Sequence, residues 1–321
     1  MGTVEHVPQT RDMVGAELSG DEAFTALRRY GGRKLLKDSF ARFRYADGFS
    51  AARSLAYQVV LGTVPFTIAL VGVATSVHTE SVDRIVQLTL AGIVPGDSAD
   101  LVRQALEGTR RSVHADTAGA VAVWLGLGVA LLNLTSAMGQ IERGCNRIYG
   151  IERDRAFPAK YGRGVLLTLA AGLPLGAGFL LMVVGREVGE AVVRALHWSP
   201  SLLQWWQLLH VPGGVLLAGL SSAVIFRWSP RRDQPGYTWL AFGSGVHLLL
   251  WVTATWMLSL YVGTSGSFGA VYGPLTAFVA LLLWANVTGI ALFLGVAFAA
   301  QLEAARAGVA EPVRPDPGPG A

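Results

Sequence analysis

Charged residues are scarce in this chain, and long stretches contain none. Only 15% of the 321 residues are Asp, Glu, Lys or Arg, whereas 52% are hydrophobic. Soluble domains carry about 25% charged residues, so this composition indicates a membrane protein. Six apolar runs are each long enough, as helices, to cross a hydrocarbon core of about 30 Å. They predict six membrane spans at 55–77, 118–138, 165–185, 208–226, 240–262 and 275–300.

Cysteine and the motifs of enzyme sites are also missing. Cys145 is the single cysteine, which excludes an intramolecular disulfide and a cysteine-built zinc site. The six histidines are scattered without the paired spacing of a metal site. No nucleophile elbow, phosphate loop or RNA-binding fold pattern is present. We therefore predict no metal, no cofactor, no nucleic-acid partner and no enzymatic activity.

Lys and Arg are divided unevenly between the two sides of the predicted bundle. Of the 26 cations, 20 fall on the side of both termini and 6 on the other side. The positive-inside rule then predicts cytoplasmic termini and a multi-pass protein of a bacterial inner membrane. The first fifty residues lack the apolar core of a signal peptide, so we expect the first span to act as the insertion signal.

The segments outside the spans have distinct compositions. Residues 1–20 and the Pro/Gly-rich tail 304–321 are predicted to be disordered, with the membrane domain at 55–303. The loop between spans one and two is predicted to form two short extracytoplasmic helices.

In the basic region 21–54, Leu36, Phe40 and Phe43 recur at helical spacing. This pattern predicts an amphipathic helix in the headgroup layer, with a helix packed on the bundle's own base as the alternative. Its expected contacts with anionic lipid are Arg33, Lys34, Lys37, Arg42 and Arg44.

The predicted spans contain a few polar residues but no Asp, Glu, Lys or Arg. The absence of charge argues against transport coupled to protons or sodium. The uncharged polar residues are either interhelical hydrogen-bonding groups, worth about 0.6–2 kcal/mol each, or the lining of a weakly polar cleft for an amphiphile. The candidate cleft residues are Tyr57, Gln58, Asn133, Thr135, Ser136 and Asn286.

Proline and glycine occur where helices of transporters are often broken. Pro65, Pro174 and Pro212 fall inside spans one, three and four, and broken helices often line substrate sites. Kinks also occur in purely structural bundles. The connector between spans five and six is predicted to be either a hinge or a tight turn, because its glycines permit large backbone changes. These glycines are Gly263, Gly266, Gly269 and Gly273.

Three stretches together resemble one family of membrane proteins. They are DGFSAARSLAYQVVLGTVP at 47–65, CNRIYGIERDRAF at 145–157, and QPG at 234–236 with YVGTSGSFGAVYGPLTAFVALLLW at 261–284. In order over six spans, they resemble the YihY/BrkB family of bacterial inner-membrane proteins, often mislabelled ribonuclease BN. The resemblance implies a six-helix membrane protein with a suspected role in lipid movement. The family usually ends span six with Gly-Ala-Glu-Leu-Asn, whereas Ala297 and Ala299 stand at the acidic and amide positions here.

Two functions of different kinds follow as hypotheses. The first is a protein that moves or handles a lipid or amphiphile without ion coupling. The alternative is a non-catalytic scaffold that docks envelope partners or forms a homo-oligomer. A ribonuclease is disfavoured, because the central basic loop offers only Glu142, Glu152 and Asp154 as acids.

Overall fold

The computed structural model describes residues 19–76, 117–151, 157–196, 200–264 and 275–313. Within these ranges the regular structure is helical and contains no strand, which confirms the predicted all-α class. The helices, in chain order, are α1 Gly20–Tyr30, α2 Gly32–Tyr45, α3 Gly48–Ser76, α4 Thr117–Ile148, α5 Phe157–Leu196, α6 Pro200–Trp228, α7 Tyr237–Thr264 and α8 Thr276–Arg306. The predicted helices of the loop between spans one and two lie outside the described residues.

Five helices are long and apolar enough to cross a membrane. Their apolar segments are Trp124–Ile148, Tyr161–Met182, Ser201–Trp228, Tyr237–Thr264 and Phe278–Arg306. The chain is therefore a membrane protein with several apolar helices. The first predicted span falls in α3, a helix of 29 residues, many of whose side chains are outside the description. The count of six spans stays a prediction.

The two amino-terminal helices are separated by a glycine turn. Ser19 caps α1, since its Oγ accepts a hydrogen bond from the backbone N–H of Glu22 at 3.3 Å. Gly31 has φ of 89°, a conformation that side-chain-bearing residues rarely adopt. This residue ends α1 and redirects the chain into α2.

Helix α2 packs on the bundle with one face and is exposed on the other. Its buried residues are Leu35, Ser39, Arg42 and Phe43, and the face contacts α8. Phe43 was predicted to lie on the lipid-facing stripe, and this was wrong, because its ring is fully buried in the core. Leu36 and Phe40 are exposed. One face of the helix thus packs on the bundle, as in the alternative arrangement. A position in the headgroup layer stays a prediction.

Helix α8 approaches both α3 and α7 at small residues. A Cβ added to Gly289 of α8 would lie 3.1 Å from the Cα of Ala52 in α3. A Cβ on Gly243 of α7 would lie 2.7 Å from the carbonyl oxygen of Gly295 and 2.8 Å from the Cβ of Ala299 in α8. Small residues let helix backbones approach closely in membranes. The alanine at 299 thus fills a close contact with α7.

Helices α5 and α6 form a tightly packed hairpin. A Cβ on Gly178 would lie 2.7 Å from the carbonyl oxygen of Gly214. Nearer the end of α6, the hydroxyl of Ser221 donates to the carbonyl oxygen of Ala171 at 2.8 Å. At the other end, the indole N–H of Trp206 donates to the carbonyl oxygen of Gly185. The hairpin is therefore held together over most of its length.

The three prolines lie within helices, and their predicted role as breaks or hinges stays a prediction. Pro65, Pro174 and Pro212 each lie inside a continuous helix. Neighbouring groups in a membrane bundle satisfy the backbone that a proline leaves unbonded, so the helix continues through it. Gly263 lies in the last turn of α7. The other predicted hinge glycines (Gly266, Gly269 and Gly273) lie outside the described residues.

The tail was predicted to be disordered from residue 304, but the ordered structure continues beyond that residue. Helix α8 continues to Arg306, and Ala304 is fully buried. Beyond it, the carbonyl oxygen of Ala310 accepts hydrogen bonds from the hydroxyl of Tyr30 at 3.3 Å and the amide of Gln301 at 2.6 Å. Residues 304–310 are therefore part of the fold, because these hydrogen bonds attach them to α1 and α8. Residues 314–321 lie outside the description.

Candidate functional site: a buried charged base and an apolar opening

One end of the bundle, called the base here, contains a fully buried ion pair. The guanidinium of Arg232, in the α6–α7 connection, donates to Oε1 of Glu303 in α8 at 2.6 Å. The two side chains are 0% and 1% exposed. The ring of Tyr149, after α4, lies 4.6 Å from the guanidinium of Arg232, which adds a cation–π contact.

Helix α2 contributes a second buried cation to the base. Arg42 donates from Nε to Oε1 of Gln301 at 2.9 Å and from Nη1 to the carbonyl oxygen of Ile148 at 3.1 Å. Arg42 was predicted to contact lipid headgroups, and this was wrong, because the side chain is fully enclosed by protein. A buried guanidinium must be hydrogen-bonded to be tolerated. Arg42 thus connects α2 to α4 and α8.

The α6–α7 connection is attached to α4 through polar contacts. The side-chain oxygen of Asn146 accepts from the backbone N–H of Arg231 at 2.8 Å. Arg227, at the end of α6, donates to the carbonyl oxygens of Gln234 and Pro235. These contacts hold the connection in the place where Arg232 reaches Glu303.

A further ion pair attaches α4 to the turn before α3. Arg147 donates to Oδ2 of Asp47 at 3.0 Å, with both side chains partly exposed. Asp47 has φ of 61°, the left-handed region in which Asp is among the tolerated residues. Asp47, Arg147 and Gln234 each belong to one of the three stretches that carry the family resemblance. These three residues of the stretches lie at the base.

Burial sets the protonation of the base without creating an acid–base pair. It lowers the pKa of Arg42 to about 10, so the guanidinium is charged at neutral pH. It raises the pKa of Tyr149 above its ordinary value, so the phenol is neutral. No group of three or more His, Cys, Asp or Glu suited to a metal ion occurs among the described residues. The base therefore combines two buried guanidinium groups, Arg42 and Arg232, with the carboxylate of Glu303 and with neutral hydrogen-bond acceptors.

The interface between α4 and α5 is closed near the base and exposed further away. A Cβ on Gly164 would lie 3.0 Å from Cγ2 of Thr135, which is buried. The same face of α4 continues away from the base, at helical spacing, through Leu131, Gly128 and Trp124. Leu131 is 40% and Trp124 71% exposed, and nothing lies within 4 Å of a Cβ on Gly128. Helices α4 and α5 therefore diverge away from the base.

The interface between α6 and α7 shows the same divergence. Near the base, a Cβ on Gly219 would lie 2.8 Å from Cδ1 of Leu248. Away from the base, the corresponding face of α6 reaches Leu208 and that of α7 reaches Val252 and Ser259. All three are exposed. The α5–α6 hairpin is thus joined to its neighbours near the base and separated from them at the other end.

We call this separated region the opening. It has two sides, one on each flank of the α5–α6 hairpin: the exposed face of α4 beside α5, with Trp124, Gly128 and Leu131, and the exposed faces of α6 and α7, with Leu208, Val252 and Ser259. Its walls are apolar apart from Ser259. An apolar, membrane-exposed space of this kind suits hydrocarbon chains, since burying a methylene group contributes about 0.8 kcal/mol.

The predicted polar residues are distributed over more than one interface. Asn133 donates to the carbonyl oxygen of Val129 in its own helix at 2.9 Å, and its Cβ lies 3.4 Å from a Cβ built on Gly62 of α3. Thr135 faces α5 instead. Tyr57 is exposed, whereas Gln58, Ser136 and Asn286 are half-buried. Asn133 and Thr135 thus belong to different helix pairs, and a common polar cleft stays a prediction.

Sequence reasoning missed the base. Arg232, Gln301 and Glu303 were not among the predicted site residues, because they lie in or next to loops that the positive-inside rule assigns to solvent. One signal was available in the sequence: Gln301 and Glu303 directly follow a long uncharged run and lie between Ala300 and Ala304. Polar groups at such a position need partners.

Comparison with known sequences decides the family. The family model for virulence factor BrkB matches residues 39–319. The chain belongs to the virulence factor BrkB family. This confirms the resemblance drawn from the three sequence stretches. In this BrkB family member the match includes α3 to α8 and every residue of the base named above.

Several curated proteins are similar to this BrkB family member. A ribonuclease-like protein, YfkH of Bacillus subtilis (strain 168), is 26% identical over 81% of this chain and 92% of its own length. UPF0761 membrane proteins of Stenotrophomonas maltophilia (strain K279a) and Chromobacterium violaceum are 25% and 26% identical over 84% and 78% of this chain. The chain spans 62% and 57% of those two relatives. No solved structure matches the chain.

Proposed function

We propose that this protein holds an amphiphile, such as a membrane lipid, in the opening and moves it along or across the membrane without ion coupling. The observation that carries the proposal is the opening itself: helices α4 and α5, and α6 and α7, touch near the base and diverge away from it. A space that is closed at one end and exposed to lipid at the other admits acyl chains from the membrane.

The chemistry of the walls fits an amphiphile better than an ion. The opening contains no ionisable side chain among the described residues that define it, and a permeant ion would need polar ligands there. In the base, the buried carboxylate of Glu303 is paired with Arg232, and the guanidinium of Arg42 is hydrogen-bonded to Gln301 and Ile148. Movement driven by the substrate's own gradient is consistent with this distribution.

The test is lipid movement in liposomes that contain the purified protein. Labelled zwitterionic or anionic lipid is placed in both leaflets, and a membrane-impermeant quencher is added outside. We expect quenching to go well beyond the outer-leaflet half for at least one lipid. Quenching that stops at half for every lipid would overturn the proposal and favour the scaffold alternative.

Two leucine-to-tryptophan variants identify the path. Leu131 lies in the opening, so Leu131→Trp is expected to slow lipid movement several-fold by filling it. Leu173 is 69% exposed and follows Gly164 by about two and a half turns of α5, on the opposite face. Leu173→Trp is therefore a matched control and should move lipid at the wild-type rate. Equal slowing in both variants would argue against the opening as the path.

The name of the YfkH relative makes a nuclease test necessary. We propose that this chain is not an enzyme, since the buried carboxylate of Glu303 is held in an ion pair by Arg232. The purified protein should leave single-stranded and structured RNA intact with added magnesium or manganese. Cleavage that is lost in Glu303→Gln would contradict this.

A further inference from the structure

We infer that the exposed face of α2, together with the start of α3, binds the anionic headgroups of the leaflet that meets the base. We call this surface the α2 surface. Its members are Arg33, Leu36, Lys37, Phe40, Arg44, Phe49 and Arg53. The inference concerns a lipid at the rim of the protein and does not depend on the opening.

The first support is the arrangement of cations on α2. Arg33, Lys37 and Arg44 are exposed and separated by four and seven residues, so they form one row along the helix. Asp38 is the single acidic residue of α2. It is half-buried on another face, where its Oδ2 accepts from the hydroxyl of Tyr30 at 2.7 Å. The exposed row therefore carries positive charge alone.

The second support is an apolar strip beside the row. Leu36 and Phe40 are exposed on the adjoining face of α2, and Phe49 is exposed in the first turn of α3. The rings of Phe40 and Phe49 are in edge contact at 6.3 Å. Phe49 also contacts the buried ring of Phe43 at 4.8 Å, which anchors the strip to the core. Exposed aromatic rings beside cations are typical of the headgroup boundary.

The third support is the opposite face of the helix. Arg42 and Phe43 hold α2 on the bundle, so the exposed row cannot turn inward. Arg53 extends the positive charge onto α3 and is exposed, with its Nη2 donating to Oγ of Ser50 at 3.2 Å. Each Lys or Arg near an anionic leaflet is attracted to its negative surface potential. The rigid spacing of four cations favours anionic lipid over zwitterionic lipid.

This geometry corrects the sequence-based set of lipid contacts. Arg42 faces the interior, and the ammonium of Lys34 lies over the ring of Tyr30 at 4.6 Å, away from the row. Arg33, Lys37 and Arg44 stay in the set, and Arg53 joins it. The apolar side of the surface is made by Leu36, Phe40 and Phe49.

The test attaches a fluorophore to an introduced cysteine, which is possible because the one natural cysteine is buried. Cys145 is buried, so the wild-type protein serves as a labelling blank for a Leu36→Cys variant that carries an environment-sensitive fluorophore. The labelled protein is placed in nanodiscs of equal parts phosphatidylcholine and phosphatidylglycerol, with bromine on the chains of one lipid or the other. Bromine quenches the fluorophore only at short range, so the ratio of the two signals reports which lipid lies at α2.

We expect brominated phosphatidylglycerol to quench at least about twofold more than brominated phosphatidylcholine. The triple variant Arg33→Gln/Lys37→Gln/Arg44→Gln should abolish this preference. The control Arg28→Gln/Arg29→Gln/Lys34→Gln removes the same number of exposed cations from neighbouring faces and should keep it. Equal quenching by the two lipids, quenching by neither, or equal loss of preference in both triple variants would each overturn the inference.

Discussion

Arg232 and Glu303 form a 2.6 Å ion pair in which neither side chain is more than 1% exposed. The pair joins the α6–α7 connection to the last helix in a chain whose predicted spans carry no charge. Desolvation makes such a pair a weak source of net stability, but removal of one partner leaves an isolated buried charge. Removal of one partner should therefore change the free energy of unfolding more than replacement of both partners.

This relationship gives the first prediction. Glu303→Leu should lower the free energy of unfolding by about 3–5 kcal/mol, since Arg232 then stays buried without its carboxylate. The double variant Arg232→Met/Glu303→Leu should recover much of that loss. Unfolding of the purified protein in detergent by denaturant titration would measure both.

An exposed ion pair provides the control for the first prediction. Arg186 and Glu190 lie 3.3 Å apart in α5, with side chains 66% and 41% exposed. Exposed pairs at this spacing contribute about 0.3–0.5 kcal/mol, so Arg186→Ala should have little effect. A loss in Glu303→Leu no larger than in Arg186→Ala would contradict the assignment of a buried pair.

The second prediction concerns the titration of Tyr30. Burial and the carboxylate of Asp38 raise the pKa of this phenol from 10.0 to about 12. A raised pKa means that the stability contributed by the neutral phenol is complete below pH 10 and is lost as the pH rises through 12. The bonds from Tyr30 to Asp38 and to the Ala310 carbonyl should weaken over that interval.

Ultraviolet difference titration of wild type against Tyr30→Phe isolates this tyrosine from the others. The difference signal should have a midpoint near pH 12. Asp38→Asn should move the midpoint toward lower pH, because it removes the negative charge that opposes ionisation. A wild-type midpoint at the ordinary value, or no movement in Asp38→Asn, would show that the Tyr30–Asp38 contact is absent.

The third prediction tests the packing of the α5–α6 hairpin. Gly178→Ala places a methyl group 2.7 Å from the carbonyl oxygen of Gly214 and 3.0 Å from the Cβ of Leu217. Overpacking of this kind costs about 1–3 kcal/mol. Gly176→Ala meets nothing within 4 Å and should be neutral or stabilising, since alanine favours helix by about 1 kcal/mol. Thermal unfolding of the two variants should therefore move in different directions, and equal destabilisation would contradict the close contact.

The fourth prediction concerns the positions at which this chain departs from the family sequence. Ala299→Asn restores the amide that the resemblance leads one to expect. Because Ala299 is buried against Gly243, the larger side chain should lower thermal stability by about 1–3 kcal/mol. Ala307→Asn, at an exposed position after α8, should be neutral. A stabilising effect of Ala299→Asn would show that α7 has room for an amide there.

The helical class and the apolar helices could be predicted because hydrophobic length is a local property of the sequence. The same holds for the exposed row on α2, where Arg33, Lys37 and Arg44 follow helical spacing. Arg42 is also a cation of α2 and has similar neighbours in the sequence. Only its tertiary contacts with Gln301 and Ile148 distinguish it from the exposed cations of the row. Local pattern cannot separate a cation that faces lipid from one that faces α8.

The base and the opening depend on contacts between distant parts of the chain. Arg232 and Glu303 are separated by 71 residues. The local sequence around either residue does not identify the other as its ion-pair partner. The opening arises from the angles between helices, which depend on where small residues such as Gly164 and Gly219 allow close approach. Sequence shows that these glycines exist but not which helix each one meets.

The link between Arg42 and Gln301 also has a consequence for biosynthesis. The two residues are 259 positions apart, so α2 emerges from the ribosome long before its acceptor in α8 is made. Helix α2 cannot take its final place until the last span has been inserted. The base is therefore assembled last, and a nascent chain stalled before residue 301 should leave α2 accessible to protease.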